Sequence, residues 1–298
     1  MANVFLSAFA YSFSMTRFLM CAPTHFRVAY DINPWMTRNV GGATAQAHRQ
    51  WERLVALLLD EGKASIELIE PQAGLPDIVF TANAALISER LAIVSSFRYP
   101  ERRPEEQRYR ERLHSMGYAT TALHGAFFEG AGDALFDRRL ALIYFGYGWR
   151  SDHAAAPQLE RLCATRVLPL RLVDPRFYHL DTALCPLASG HVMAYLPAFA
   201  PKSQALLRMT LGSEYLIDVS EDDALGFACN AIEAGDAIVL HSASSALRNR
   251  LGSAGYRVFE TDLSDFHKAG GSSKCLALKL EDGPVRRAAV VRGMQALG

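Results

Sequence analysis

The stretch DIVFTANAALISERLAIVSSFRYPERRPEEQRYRERLHSMG, residues 77–117, reads as one complete structural unit. Two apolar runs of strand length, DIVFTANAALI and LAIVSSF, lead into PEEQRYRERLHSMG, whose spacing is helical and whose Gly117 is a stop signal. The same order recurs on both sides. Upstream, RFLMCAP (17–23) and ASIELIEP (64–71) flank GGATAQAHRQWERLVALLLDEG (41–62), a helix with Leu54, Leu57 and Leu58 on one face. Downstream, ALFD and LALIYF precede the helix APQLERLCATR; DTALCPL and HVMAYL precede PKSQALLRMTLG; AIVLHSAS precedes SALRNRLGSAG; and CLALKLE forms a last strand.

Counting the helical crossovers gives about five units. A period of tens of residues argues for a radial or solenoid arrangement, and connections this short argue for a single domain. A doubly wound sheet is the commoner outcome of alternating strands and helices. Against it, no Gly-rich phosphate turn follows a strand, GGAT at 41–44 being a weak imitation, so nucleotide binding is not expected. The domain is expected over 16–298, with 1–15 as an N-terminal extension. That segment, MANVFLSAFAYSFSM, is apolar, but its run is short and the first basic residue is Arg17, so it is not read as a secretory signal.

Half of the 298 residues are apolar, about a fifth are charged, and the formal net charge is zero. Such a chain has no field to draw in nucleic acid or an anionic membrane, and no run reaches the ~20 apolar residues of a span. A small partner is expected. Cys21, Cys163, Cys185, Cys229 and Cys275 are scattered without CxxC or Cys/His spacing, which argues against a zinc site and a disulfide framework and for reduced thiols in the cytoplasm. Neither a metal nor a cofactor is expected, since no histidine and carboxylate cluster has ligand spacing.

FFEGAGDALF (127–136) sets Glu129 and Asp133 in an apolar run, where an unpaired charge is costly. A surface turn between strands would account for them; so would a site that needs fixed negative charge. Cys275, in HKAGGSSKCLALKL, follows glycines that allow close approach and a lysine, Lys274, whose charge would favour a thiolate. The other cysteines lie on apolar faces and read as small hydrophobes. His179, in FYHLDTALCPL, precedes Asp181 by two residues, so on a strand both project from one face and the histidine becomes a candidate proton carrier. Asp77 and Asn83 are likewise expected on one face of a strand. His48, His114, His153 and His241 read as surface residues without partners. Arg102, Arg103 and Arg150 follow strands; arginines there are ordinarily solvated, yet they can fork onto a carboxylate.

NPWM (33–36), PDIVFTANA (76–84), FFEGAGDALF, YHLDT (178–182) and GGSSKC (270–275), in that order, resemble the guanidino-group modifying superfamily. It includes arginine deiminases, arginine dihydrolases, dimethylarginine dimethylaminohydrolases and amidinotransferases. The resemblance implies the α/β pentein propeller, five ββαβ units around a pseudo-fivefold axis. It implies a small cationic guanidino substrate, with Cys275 as nucleophile, His179 as acid and base, and Glu129 as the carboxylate that orients them. It further implies substrate contacts from Asn33, Asp77, Asn83, Arg102, Arg150 and Asp181, with Arg103 an equal reading of the arginine doublet and Asp133 as a brace. Homo-oligomer formation is left open. Where arginine deiminases carry an aspartate, this chain has Asn83, which arginine dihydrolases share along with NPWM. The favoured reading is therefore hydrolysis of arginine to ornithine, ammonia and carbon dioxide. Dimethylarginine hydrolysis, deimination to citrulline, amidino transfer and a non-catalytic binding protein on the same fold are the alternatives.

Overall fold

The computed structural model describes residues 15–36 and 45–281. Most of the expected N-terminal extension, the GGAT turn and the last part of the expected domain lie outside the described residues. Five three-stranded sheets share one pattern, an antiparallel pair followed across a helix by a parallel third strand. The first is assembled from both ends of the chain. Strand β1 (Arg17–Cys21) pairs antiparallel with β15 (Leu278–Lys279) and, after α1 (Ala45–Asp60), parallel with β2 (Ser65–Ile69). The second comprises β3 (Ala85–Ser88), β4 (Leu91–Val94), α2 (Arg103–Ser115) and β5 (Ala119–Ala122). The third comprises β6 (Ala134–Asp137), β7 (Leu142–Tyr147), α3 (Ala156–Cys163) and β8 (Arg166–Arg171). In the fourth, β9 (Leu184–Pro186), β10 (Val192–Ala194), α4 (Pro201–Tyr215) and β11 (Leu216–Asp218) follow the same order. The fifth has β12 (Ile232–Ala234), β13 (Ala237–Leu240), α6 (Ser245–Ser253) and β14 (Arg257–Glu260). Two short extra helices, α5 (Glu221–Leu225) and α7 (Ser264–His267), stand outside the pattern.

This is the pentein propeller, and residues of all five first strands line one axial cavity. The middle strands β4, β7, β10 and β13 are apolar throughout because both their faces are covered. Helix α1 buries Leu54, Leu57 and Leu58 in a core shared with Phe18, Met20, Ile232 and Val239, as its spacing requires. Gly117 adopts φ +87°, the left-handed turn that ends α2's segment. No helix among the described residues is long and apolar enough to cross a membrane.

Two expectations need correction. DIVFTANAALI is not one strand: residues Pro76–Val79 and Thr81–Ala84 form successive 3-10 turns and the strand starts at Ala85. A fully buried apolar run gives no periodicity by which to tell turn from strand. His179 and Asp181 do not alternate along a strand either, because Leu180–Thr182 is a 3-10 turn. The third strands β5, β8, β11 and β14 and the first strand β12 are not anticipated by the sequence pattern. All but β8 are short, and β5 and β14 are half-exposed without a buried residue.

These turns matter because of where they fall. A 3-10 turn enters the first strand at Thr81–Ala84, Gly130–Gly132, Leu180–Thr182 and Lys274–Leu276. Equivalent corners of the propeller therefore meet at one end of its axis.

Candidate active site

Those corners carry the residues singled out above. Cys275 is buried, and its sulfur sits 3.1 Å from Asn230 Nδ2 and 3.9 Å from Asp181 Oδ2. Asn230 fixes the backbone as well: Cys275 N donates to its Oδ1 at 3.0 Å, and its Nδ2 donates to Asp181 O at 3.1 Å. Lys274 Nζ reaches Ala131 O at 2.6 Å and Asp181 Oδ2 at 3.3 Å. Burial, and after it the Asp181 charge, pushes the Cys275 thiol up to about 12 against the smaller pull of Lys274 and Asn230. Lys274 does favour the thiolate, as its charge suggests, but burial and Asp181 outweigh it and favour the thiol.

His179 Nε2 lies 2.7 Å from Glu129 Oε2. The same oxygen accepts from Arg150 Nη1 at 3.0 Å, and Arg98 N donates to Oε1 at 3.2 Å. Burial alone would raise Glu129, yet Arg150 and His179 hold its carboxyl well below the usual carboxylate range. Glu129 is therefore a fixed anion under a histidine. Arg150 is stacked between the rings of Tyr99 and Tyr178, with its carbon 4.8 Å and 4.5 Å from their centroids, and donates to Ile32 O. Asp133 is a brace, accepting from Ser151 Oγ at 2.6 Å and Leu180 N at 3.0 Å; burial pushes it up to about 6.

Arg102 pairs with Glu105 through Nε at 3.1 Å and Nη2 at 2.8 Å, donates from Nη1 to Asn83 Oδ1 at 2.9 Å, and lies 3.9 Å from Asp77 Oδ2. Arg103 instead points outward to the Phe97 and Arg98 carbonyls, which resolves the doublet in favour of Arg102 as the buried member. Asp77 is raised by its burial, with Arg102 opposing. Asn33 holds the chain entry: its Oδ1 accepts from Trp35 N and Met36 N, and its Nδ2 donates to Ala269 O at 3.1 Å. Three buried polar atoms here have no hydrogen-bond partner, namely Asp77 Oδ1, Asn83 Nδ2 and Asp181 Oδ1. Buried polar groups are rarely left so, and three around one centre point to a ligand that supplies the missing bonds.

The close approach at the centre rests on Gly132. A Cβ there would stand 2.2 Å from Asn83 Nδ2 and 3.4 Å from His179 Cγ. Sequence reasoning missed Asn230, Glu105 and Ser151. For Asn230 a signal existed: CNA stands two residues before β12 as TANA's Asn83 stands two before β3, the same corner of another unit. His241 is no lone surface group, since its Nδ1 accepts from Leu263 N at 3.0 Å and its ring packs on His267. Among the described residues no group of three or more His, Cys, Asp or Glu is placed to hold a metal ion.

Comparison with known proteins gives a consistent answer. Residues 31–281 match the family described as N,N dimethylarginine dimethylhydrolase, eukaryotic. The chain is 42% identical over 275 residues to the bifunctional arginine dihydrolase/ornithine cyclodeaminase AgrE of Nostoc sp., covering 92% of this chain and 39% of that protein. It is 40% identical over 265 residues to the N(G),N(G)-dimethylarginine dimethylaminohydrolase of Mycobacterium tuberculosis, covering 89% of this chain and 85% of that one. The crystal structure of the N-terminal domain of the cyanobacterial arginine dihydrolase ArgZ, bound to substrate, superposes with a TM-score of 0.87 at 40% identity, over 90% of this chain and 98% of that domain. The chain spans about two fifths of the length of the bifunctional relatives.

Proposed function

The chain belongs to the N,N dimethylarginine dimethylhydrolase family, and on that premise we propose that it hydrolyses the guanidino C–N bonds of L-arginine to ornithine, ammonia and carbon dioxide through a covalent bond to Cys275. One observation carries the reading: a buried cysteine lies 3.9 Å from a buried aspartate whose other oxygen has no partner. A flat cation with five N–H donors is what such acceptors need.

The cation enters between Asp77 and Asp181 and offsets the negative field that holds the Cys275 proton. The thiol passes its proton to His179 as the substrate arrives, and the sulfur adds to the guanidinium carbon. His179, paired with the Glu129 anion, gives a proton to the leaving nitrogen, and ammonia departs. His179 then takes a proton from water, which attacks the sulfur-bound carbon and releases a ureido product. A second round on the ureido carbon expels the second ammonia and leaves a carbamate, which loses carbon dioxide to give ornithine. The N–H donors of Arg102 and Arg150 not spent on Glu105, Asn83, Asp77 O, Glu129 and Ile32 O meet the substrate's α-carboxylate.

Asn83 supports two rounds over one. Its Oδ1 is held by Arg102, so the group left toward the site is the Nδ2 donor. A guanidinium has no acceptor for it; a ureido oxygen does. The family match favours dimethylarginine as a second substrate. Five buried, unpaired cysteines suit a cytoplasmic setting, and residues 16–298 are proposed as one catalytic domain. Incubation with arginine, dimethylarginine and agmatine, with products identified by mass, tests the reading: ornithine from arginine is expected, and citrulline alone would contradict it.

A further inference from the structure

The axial cavity reaches the catalytic corners at Ala131 and Lys274. Its floor includes Ala131 and Lys274, whose far side faces the catalytic corners, and its wall is built from the first strands of all five units. Its volume of about 80 Å³ compares with roughly 10–15 Å³ for one water, so a small molecule fits. The wall is apolar, with Phe18, Leu86, Leu135, Phe136, Ile232 and Leu278, while the charges at its floor and rim are Lys274, Lys279, Arg138 and Glu233. Glu233 is held by its Oε1, which accepts from Tyr256 Oη at 2.6 Å and Ala188 N at 2.8 Å. The Lys279 ammonium has no hydrogen bond or ion pair among the described residues. An apolar wall with a surplus of positive charge suits an anion and repels the cation that the catalytic corners receive.

We propose that this axial cavity binds a small aliphatic monocarboxylate, its chain against the strand wall and its carboxylate between Lys274 and Lys279. The site has a route to the chemistry. Lys274 is the residue before Cys275, and its Nζ is 3.3 Å from Asp181 Oδ2. A carboxylate in the cavity competes with Asp181 for that ammonium. Once Lys274 turns to the ligand, Asp181 keeps its full charge beside the sulfur, and ionisation of Cys275 becomes harder. The occupied cavity therefore slows the enzyme.

The test uses the whole chain with sodium butyrate as probe and butylammonium chloride, of the same shape and opposite charge, as control. Titration calorimetry is expected to show saturable butyrate binding, on the order of millimolar for so small a ligand, and none for butylammonium. Lys279→Met, which removes the charge, and Ala188→Phe, which plugs the rim, are each expected to weaken it tenfold or more. Butyrate is expected to slow alkylation of Cys275 by 2-chloroacetamidine severalfold in the unaltered protein and not in either variant. Equal butyrate affinity in the protein and both variants would place the anion at the substrate's carboxylate contacts and overturn the proposal; so would absence of saturation. The outcome is separable from the catalytic reading, because butyrate binding is scored whether or not Cys275 is alkylated.

Discussion

On the proposed mechanism, Cys275 and Asn83 decide the chemistry at the scale of single residues. Because burial and Asp181 push the Cys275 thiol up to about 12, alkylation of the resting protein by a neutral reagent such as iodoacetamide is expected to be slow at pH 7 and to climb steadily through pH 9 and beyond. A cationic amidine reagent should escape that penalty, since its charge offsets Asp181. Equal rates for the two reagents at pH 7 would show that the sulfur is ionised before substrate arrives. Asn83→Asp exchanges the donor toward the site for an acceptor beside the Arg102 network. It is expected to retain the first hydrolysis and lose the second, shifting the product from ornithine to citrulline by tenfold or more on amino-acid analysis. Glu129→Gln leaves His179 without its anion and Arg150 buried without its partner; a loss of at least a hundredfold in kcat is expected, with a stability cost of about 3 kcal/mol from the uncompensated charge.

Turns rather than strands or helices hold the site at the scale of elements. The 3-10 turn Gly130–Gly132 lets Asn83 and His179 lie against a residue with no side chain. Gly132→Ala is expected to displace Asn83 and lower kcat about a hundredfold, at a cost of about 1–3 kcal/mol in stability measured by urea unfolding; unchanged kcat would show that the turn has slack. This scale also shows how far the sequence can be read. Motifs such as GGSSKC, YHLDT and FFEGAGDALF can be recognised whatever backbone carries them, so Cys275, His179 and Glu129 stand out as candidates from residue order alone. Asp77 and Asn83 share the site for a different reason from the strand face that their spacing suggests, because a buried turn of apolar residues has a strand's composition. Asn230 is not legible, since an asparagine before a short strand carries no chemical flag until the units are overlaid. Helices α1 and α2 are legible because one carries an apolar stripe and the other a charged run and a terminal glycine. Strands such as β5 are not, being short and half-exposed.

At the scale of the molecule, the five units form a ring that β15 closes by pairing with β1 from the other end of the chain. Leu278 and Leu280 are fully buried in that closure, each contributing on the order of 2 kcal/mol. Truncation after Ala277 is expected to lower the Tm by more than about 10 °C and to abolish Cys275 alkylation by the amidine reagent, since the strand that follows Cys275 anchors its turn; calorimetry with a labelling assay reads both. The central claim, that arginine becomes covalently attached to Cys275, is tested most directly by intact-mass spectrometry of the whole chain, acid-quenched during turnover. The account predicts adducts with the mass of arginine less ammonia and of the ureido product less ammonia, both mapped to Cys275 and absent from Cys275→Ser. Turnover of arginine by Cys275→Ser, or an adduct mapped to another cysteine, would contradict it.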